Sequence, residues 1–318
     1  MNMNSLSVSR VLADLAGKDF ISCSDFTSDQ VKALLQLSSQ LKNGDRRIDL
    51  GNRVLGLIFS KASTRTRVSF QVAMARLGGQ TIDLSNQATQ LARGEPLKDT
   101  ARVLSRYCDA LALRTFGNDE LIEYAKWSSI PVINALTDLE HPCQALADFL
   151  TIKEAFGSLD GITLAYIGDG NNVLNSLMIC GTLLGVNIQI ASPKGFEPLP
   201  SIVERAKTLA HPTLKICVSN NPIDAVSGAH VIYTDVWASM GQESEQAQRK
   251  EIFEGYTVNK DLVDKAEKES IILHCLPAHR GEEITDDVLE SSASRIFDQA
   301  ENRLHVQQAL LAALLGGL

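Results

Sequence analysis

The sequence predicts an α/β fold of two domains, each a parallel sheet flanked by helices, joined by long crossing helices. Three observations carry this. Apolar runs of strand length alternate with helical periods almost throughout, the pattern of parallel sheets covered on both faces. The alternation is punctuated once, at Gly157-Ser158-Leu159-Asp160-Gly161, after a long helical stretch. A length of 318 residues suffices for two cores.

In the first series, runs at 54–59, 80–84, 109–113 and 131–135 read as strands. The 54–59 run, Val-Leu-Gly-Leu-Ile-Phe, has almost no polar interruption, as expected of a strand buried on both faces. Val68, Val72, Met74 and Leu77 follow at helical spacing and stop at Gly78-Gly79. Residues 142–156 read as a helix with Pro142 in its first turn, crossing between the domains. The second series has strand runs at 162–167, 187–191, 214–218, 230–234 and 270–274. A Leu- and Ala-rich helix at about 302–316 is expected to pack back on the first domain. The predicted domains are 1–150 with 302–318, and 151–301.

Composition narrows the function. A formal net charge of −8 argues against nucleic acid as a partner, yet leaves room for a small anion that feels only the local field. No run of 18 apolar residues is present, so no membrane span is expected. Cysteines at 23, 108, 143, 180, 217 and 275 lack short spacings, which fits a reduced, cytoplasmic protein better than a disulfide scaffold.

Polar clusters fall where predicted strands end. Ser63-Thr64-Arg65-Thr66-Arg67 sits between a strand and a helix N-terminus, where open N–H groups and the helix dipole favour an anion. Arg65 and Arg67 add planar forks suited to phosphate. Arg114 ends the third run, and His141-Pro142-Cys143-Gln144 opens the crossing helix. Asp169-Gly170-Asn171-Asn172, Asp235 and His274-Cys275-Leu276-Pro277 follow strands of the second series. In open α/β sheets, ligands gather at the carboxyl ends of strands, so these clusters predict a shared cleft.

Two motifs do not hold. Gly168-Asp169-Gly170 begins a dinucleotide fingerprint, but Val173 occupies the third glycine position and no acid ends the next strand. His141/Cys143 and His274/Cys275 match no common zinc spacing, so no metal is expected.

Ser-Thr-Arg-Thr-Arg and His-Pro-Cys-Gln, in this order and spacing, resemble the aspartate/ornithine carbamoyltransferase family, and the resemblance covers nearly the whole chain. Asp235-Val-Trp-Ala-Ser239-Met240-Gly241 and His274-Cys275-Leu276-Pro277 resemble the members that use ornithine; the aspartate enzymes have Thr in place of Cys143 and lack the Ser-Met-Gly loop. Ser60-Lys61-Ala62 and Gln71 depart from frequent family choices without touching an implied ligand. The resemblance implies transfer of a carbamoyl group from carbamoyl phosphate to the side-chain amine of L-ornithine, giving L-citrulline and phosphate without a cofactor. It also implies trimers, or multiples of trimers, with shared sites.

By that resemblance, Ser63, Thr64, Arg65, Thr66 and Arg114 hold the phosphate, while His141 and Gln144 contact the carbamoyl group. Gln90 reaches a neighbouring subunit's site. Asn172, Asp235, Ser239 and the Met240 backbone hold ornithine's α-amino and carboxylate groups. Asp235 and Cys275 lie beside the reacting amine, and the turn Cys275, Leu276, Pro277, Ala278 brackets the carbamoyl carbonyl with Arg303. Residues 238–258 read as a lid.

The chemistry suits such residues. Guanidinium groups and a helix N-terminus meet a highly anionic substrate, and fixed donors at the carbonyl oxygen are worth about 3 kcal/mol each as charge develops. A Cys275 nucleophile in a hydrolase is the competing enzyme class. A non-catalytic paralogue would be expected to lack Arg65, Arg114 or His141, and all three are present.

Overall fold

The computed structural model describes residues 5–61, 63–85, 94–238 and 245–318. The chain forms two compact units, Met1–Leu150 with Asn302–Leu318, and Thr151–Glu301.

In the first unit, β1 (Val54–Phe59), β2 (Gln80–Ser85), β3 (Ala110–Arg114) and β4 (Val132–Leu136) form a parallel sheet in the order β2-β1-β3-β4. β3, Ala-Leu-Ala-Leu-Arg, is buried at every position, which explains why it reads as a continuous apolar run. Ile58, Leu111, Leu113, Val132 and Tyr124 build a core beside it. Each such side chain contributes about 1.5–3 kcal/mol by leaving water. Helix Ser28–Asn43 starts at a Thr27/Gln30 capping box, commonly worth about 1 kcal/mol, and ends at left-handed Gly44.

In the second unit, β5 (Thr163–Ile167), β6 (Asn187–Ala191), β7 (Ile216–Ser219), β8 (Val231–Thr234) and β9 (Ile271–His274) pair in parallel in the order β7-β6-β5-β8-β9. Ile167, Ile232 and Ile272 pack with Trp237 and Phe253 on one face.

Strand order changes direction between β1 and β3 in one unit, and between β5 and β8 in the other. Those are the two points where adjacent crossovers leave to opposite sides and open a crevice at the strand ends.

Two expectations change. The helix expected at about 302–316 spans Ile296–Leu314. Its first turns carry Gln299 and Asn302, which are polar yet buried, so hydrophobic periodicity does not reveal them. Residues 246–252, inside the stretch 238–258 expected as a loop, form a helix, Gln246–Ile252, and the following Phe253 is buried against Trp237. Among the described residues, no helix is long and apolar enough to cross a membrane.

Candidate active site

The first unit gathers donors at the ends of β1 and β3. Ser63 is the N-cap of helix Thr64–Arg76, and its side chain makes no capping bond. Thr64 and Arg65 are exposed on the first turn, while Thr66 is buried. Positive dipole and guanidinium therefore face outward together.

Arg67 does not join them. Two residues along a helix is a rotation of about 200°, which turns it away from Arg65. Its Nε stands 3.1 Å from Asp83 Oδ2 on β2, and its guanidinium lies over Phe59.

Arg114, the last residue of β3, is buried, and so are His141 and Gln144 at the start of helix Pro142–Phe156. Arg303 enters from helix Ile296–Leu314. Its Nη1 donates to Gln144 Oε1 at 2.6 Å and its Nη2 to Thr66 Oγ1 at 2.9 Å. Burial, then the charges of Arg303, Arg114 and Arg65, push the His141 imidazole well below its ordinary range. His141 is thus neutral at physiological pH. Burial also pushes the Cys143 thiol up to about 12, so it is no nucleophile.

The second unit builds a different cluster around Asp235, just past β8. Its Oδ2 accepts from Asn171 Nδ2 at 2.7 Å. Its Oδ1 accepts from Cys275 Sγ at 2.9 Å and from the Val236 N–H at 2.8 Å. Asn171 also caps helix Asn172–Leu184, its Oδ1 accepting from Val173 and Leu174 N–H. Asn172, the first helical residue, is half-buried.

The turn after β9 is held from behind. Leu276 has φ 59°, and its N–H donates to His274 Nδ1 at 2.8 Å. His274 Nε2 is therefore the protonated nitrogen, donating to buried Glu283 Oε1 at 3.0 Å. With both ring nitrogens engaged, His274 presents no lone pair to a metal, although its ring nitrogens lie near Asp235 and Cys275. Pro277 is exposed, and Ala278 packs against the core.

Beside this cluster, burial pushes the Asp169 carboxyl up to about 6, against the pull of Arg249, whose Nη1 lies 3.0 Å away. The same Arg249 donates to Trp237 O at 2.8 Å.

Gln90, Ser239 and Met240 lie outside the described residues. Asn171, Glu283 and Arg249 have no place in the sequence-based assignment. Only Asn171 carried a signal, within the polar cluster after β5.

The family model for the carbamoyl-P binding domain of aspartate/ornithine carbamoyltransferase matches residues 18–154, and that for the Asp/Orn binding domain matches residues 160–314. The chain belongs to the aspartate/ornithine carbamoyltransferase family. An ornithine carbamoyltransferase from Prochlorococcus marinus is 70% identical over 318 residues, all of both chains. One from a Nostoc species is 57% identical over 305 residues, 96% of this chain and 99% of the relative. Among solved structures, ornithine carbamoyltransferase from Pyrococcus furiosus superposes with a TM-score of 0.92 at 48% identity, covering 96% and 99% of the two chains. The Gloeobacter violaceus enzyme gives 0.87 at 52%, covering 94% and 99%. In this carbamoyltransferase the second family match includes Arg303, yet residues 302–318 fold into the first unit.

Proposed function

We infer that this chain is an ornithine carbamoyltransferase, transferring the carbamoyl group of carbamoyl phosphate to the side-chain amine of L-ornithine. The observation that carries the reading is the buried polar set in which Arg303 donates to Thr66 and Gln144, with Arg114 and neutral His141, beside an open helix N-terminus. An acyl phosphate dianion suits such a set.

Carbamoyl phosphate is assigned to Ser63, Thr64, Arg65, Thr66, Arg114, His141, Gln144 and Arg303. Asn172, Asp235, Ser239 and Met240 are assigned to ornithine, with Cys275 beside its amine. The amine lone pair attacks the carbamoyl carbon, and the carbonyl π pair moves onto oxygen. Donors fixed at that oxygen lower the barrier. When the C=O re-forms, the C–O bond to phosphorus breaks and phosphate leaves with the electron pair. The amine must first shed a proton, since an alkylammonium titrates near 10. Phosphate accepts the proton released as the adduct collapses. Neutral His141 donates or accepts a hydrogen bond without adding charge.

Cys275 is a positioning residue in this scheme. Its thiol is spent as a donor to Asp235, the opposite of a thiolate poised to attack. We place the enzyme in the cytoplasm and in arginine biosynthesis; the dispersed spacing of its six cysteines supports a reducing compartment. A homotrimer with Gln90 contributed across subunits rests on the family resemblance.

The test is citrulline formation from carbamoyl phosphate with ornithine, putrescine, aspartate and acetylornithine as acceptors. Turnover with ornithine alone is expected; turnover with putrescine and not ornithine would overturn the acceptor assignment.

A further inference from the structure

We propose that Asp148, a residue with no assigned role, is a specificity-determining positioning residue that makes the site select a carbamoyl over an acyl group. The proposal rests on the carbamoyl phosphate reading of the first unit and names what in that unit recognises the carbamoyl nitrogen.

Asp148 is fully buried one helical turn after Gln144. Its Oδ1 accepts from Gln144 Nε2 at 2.7 Å. On the other side, Gln144 Oε1 accepts from Arg303 Nη1 at 2.6 Å. A carboxylate offers only acceptors and a guanidinium only donors, so one orientation of the Gln144 amide satisfies both neighbours. The reversed amide would set its NH2 against a guanidinium and its oxygen against a carboxylate, leaving buried partners unmatched. Asp148 and Arg303 together lock the amide with its oxygen toward Arg303.

The lock has a chemical consequence. An amide oxygen has two acceptor sites, and Arg303 Nη1 takes one. The second remains an acceptor on the Arg303 side of the amide, next to the donors for phosphate. Carbamoyl phosphate and acetyl phosphate share their phosphate and carbonyl, and differ in NH2 against CH3. Only the carbamoyl NH2 can donate to that oxygen. A site built to accept an N–H rejects the analogue that lacks it far better than a site that discriminates by shape. Asp148 touches neither substrate; it acts through Gln144.

The experiment measures, on the full-length enzyme, the competition of acetyl phosphate and of inorganic phosphate against carbamoyl phosphate. Asp148→Asn presents either a donor or an acceptor to Gln144, so that Arg303 alone is left to orient the amide and the lock is weakened. Its preference for carbamoyl over acetyl phosphate should fall roughly tenfold or more, while inorganic phosphate binds as before. The exchange variant, Asp148→Asn with Gln144→Glu, restores a single arrangement, with a carboxylate oxygen toward Arg303 and an amide donor behind it. It should recover the preference. If Asp148→Asn does not fold, the exchange variant against wild type decides: retained preference supports the lock, lost preference overturns it. Equal loss of acetyl, carbamoyl and inorganic phosphate binding would also overturn it, leaving Asp148 a structural residue. Failure of the wild type to form citrulline would instead refute the function on which the proposal rests.

Discussion

The Cys275 thiol donates a 2.9 Å hydrogen bond to Asp235, a carboxylate that already receives Asn171 and the Val236 N–H. If Cys275 positions and does not attack, Cys275→Ser should keep most activity and Cys275→Ala should lower kcat by about 10²-fold, the cost of one misplaced group. Steady-state citrulline assays separate the variants, and mass spectrometry looks for an adduct. Complete loss in both variants, with a trapped acyl-cysteine in the wild type, would restore the covalent alternative.

Arg303 bridges Thr66 and Gln144 with two charge-assisted bonds, whereas Arg65 stands exposed on the first helical turn. Arg65→Ala should weaken carbamoyl phosphate binding by about 2–3 kcal/mol with little change in stability. Arg303→Ala should cost both affinity and stability, because Gln144 and Thr66 lose a buried donor. Calorimetric titration and urea midpoints read the two effects separately. Equal stability losses for both variants would contradict this division.

His141 links acidity to folding. Burial and the three guanidinium groups keep the folded imidazole neutral, whereas an unfolded histidine takes up a proton near pH 6.5. Below that pH the unfolded state binds more protons, so stability is lost as pH falls through about 6.5. His141→Gln should flatten this decline between roughly pH 6.5 and 5, as measured by denaturant midpoints across that range. An unchanged slope would mean that the imidazole titrates alike in both states.

Gly170 leaves no room for a side chain. A Cβ there would stand 2.5 Å from the backbone of Glu197 and Pro198, which cannot swing aside as a side-chain tip can. Gly170→Ala should destabilise by about 1–3 kcal/mol. It should also raise the KM for ornithine by displacing the neighbouring Asn171 from Asp235. An unaltered urea midpoint would show that the 196–198 backbone yields freely.

The fold was legible because parallel strands are buried on both faces and therefore announce themselves as apolar runs. β1 and β3 are such runs, and the polar cluster after each marks a strand end from sequence alone. Helix Ile296–Leu314 was legible only in its apolar half, since Gln299 bonds the His274 N–H and Tyr233 OH from inside the core. Arg67 looks like Arg65 in sequence, and only the pairing of β1 with β2 reveals Asp83 as its partner. Glu283 and Arg249 were illegible for a similar reason. Their partners are a ring nitrogen fixed by a left-handed Leu276 and a carbonyl at Trp237, neither of which leaves a spacing rule.

The return of residues 302–318 to the first unit has a bearing on biosynthesis of the protein itself. Thr66 and Arg303 are 237 residues apart, yet share one hydrogen bond. At translation rates of roughly 5–20 residues per second, the ribosome needs on the order of 10–50 s to deliver the second after the first. Through that interval the nascent β1–β4 sheet has its strands but lacks the guanidinium that ties Thr66 to Gln144. A half-made chain therefore holds Thr66 and Gln144 without the guanidinium between them, and completes this buried cluster only once Arg303 has left the exit tunnel.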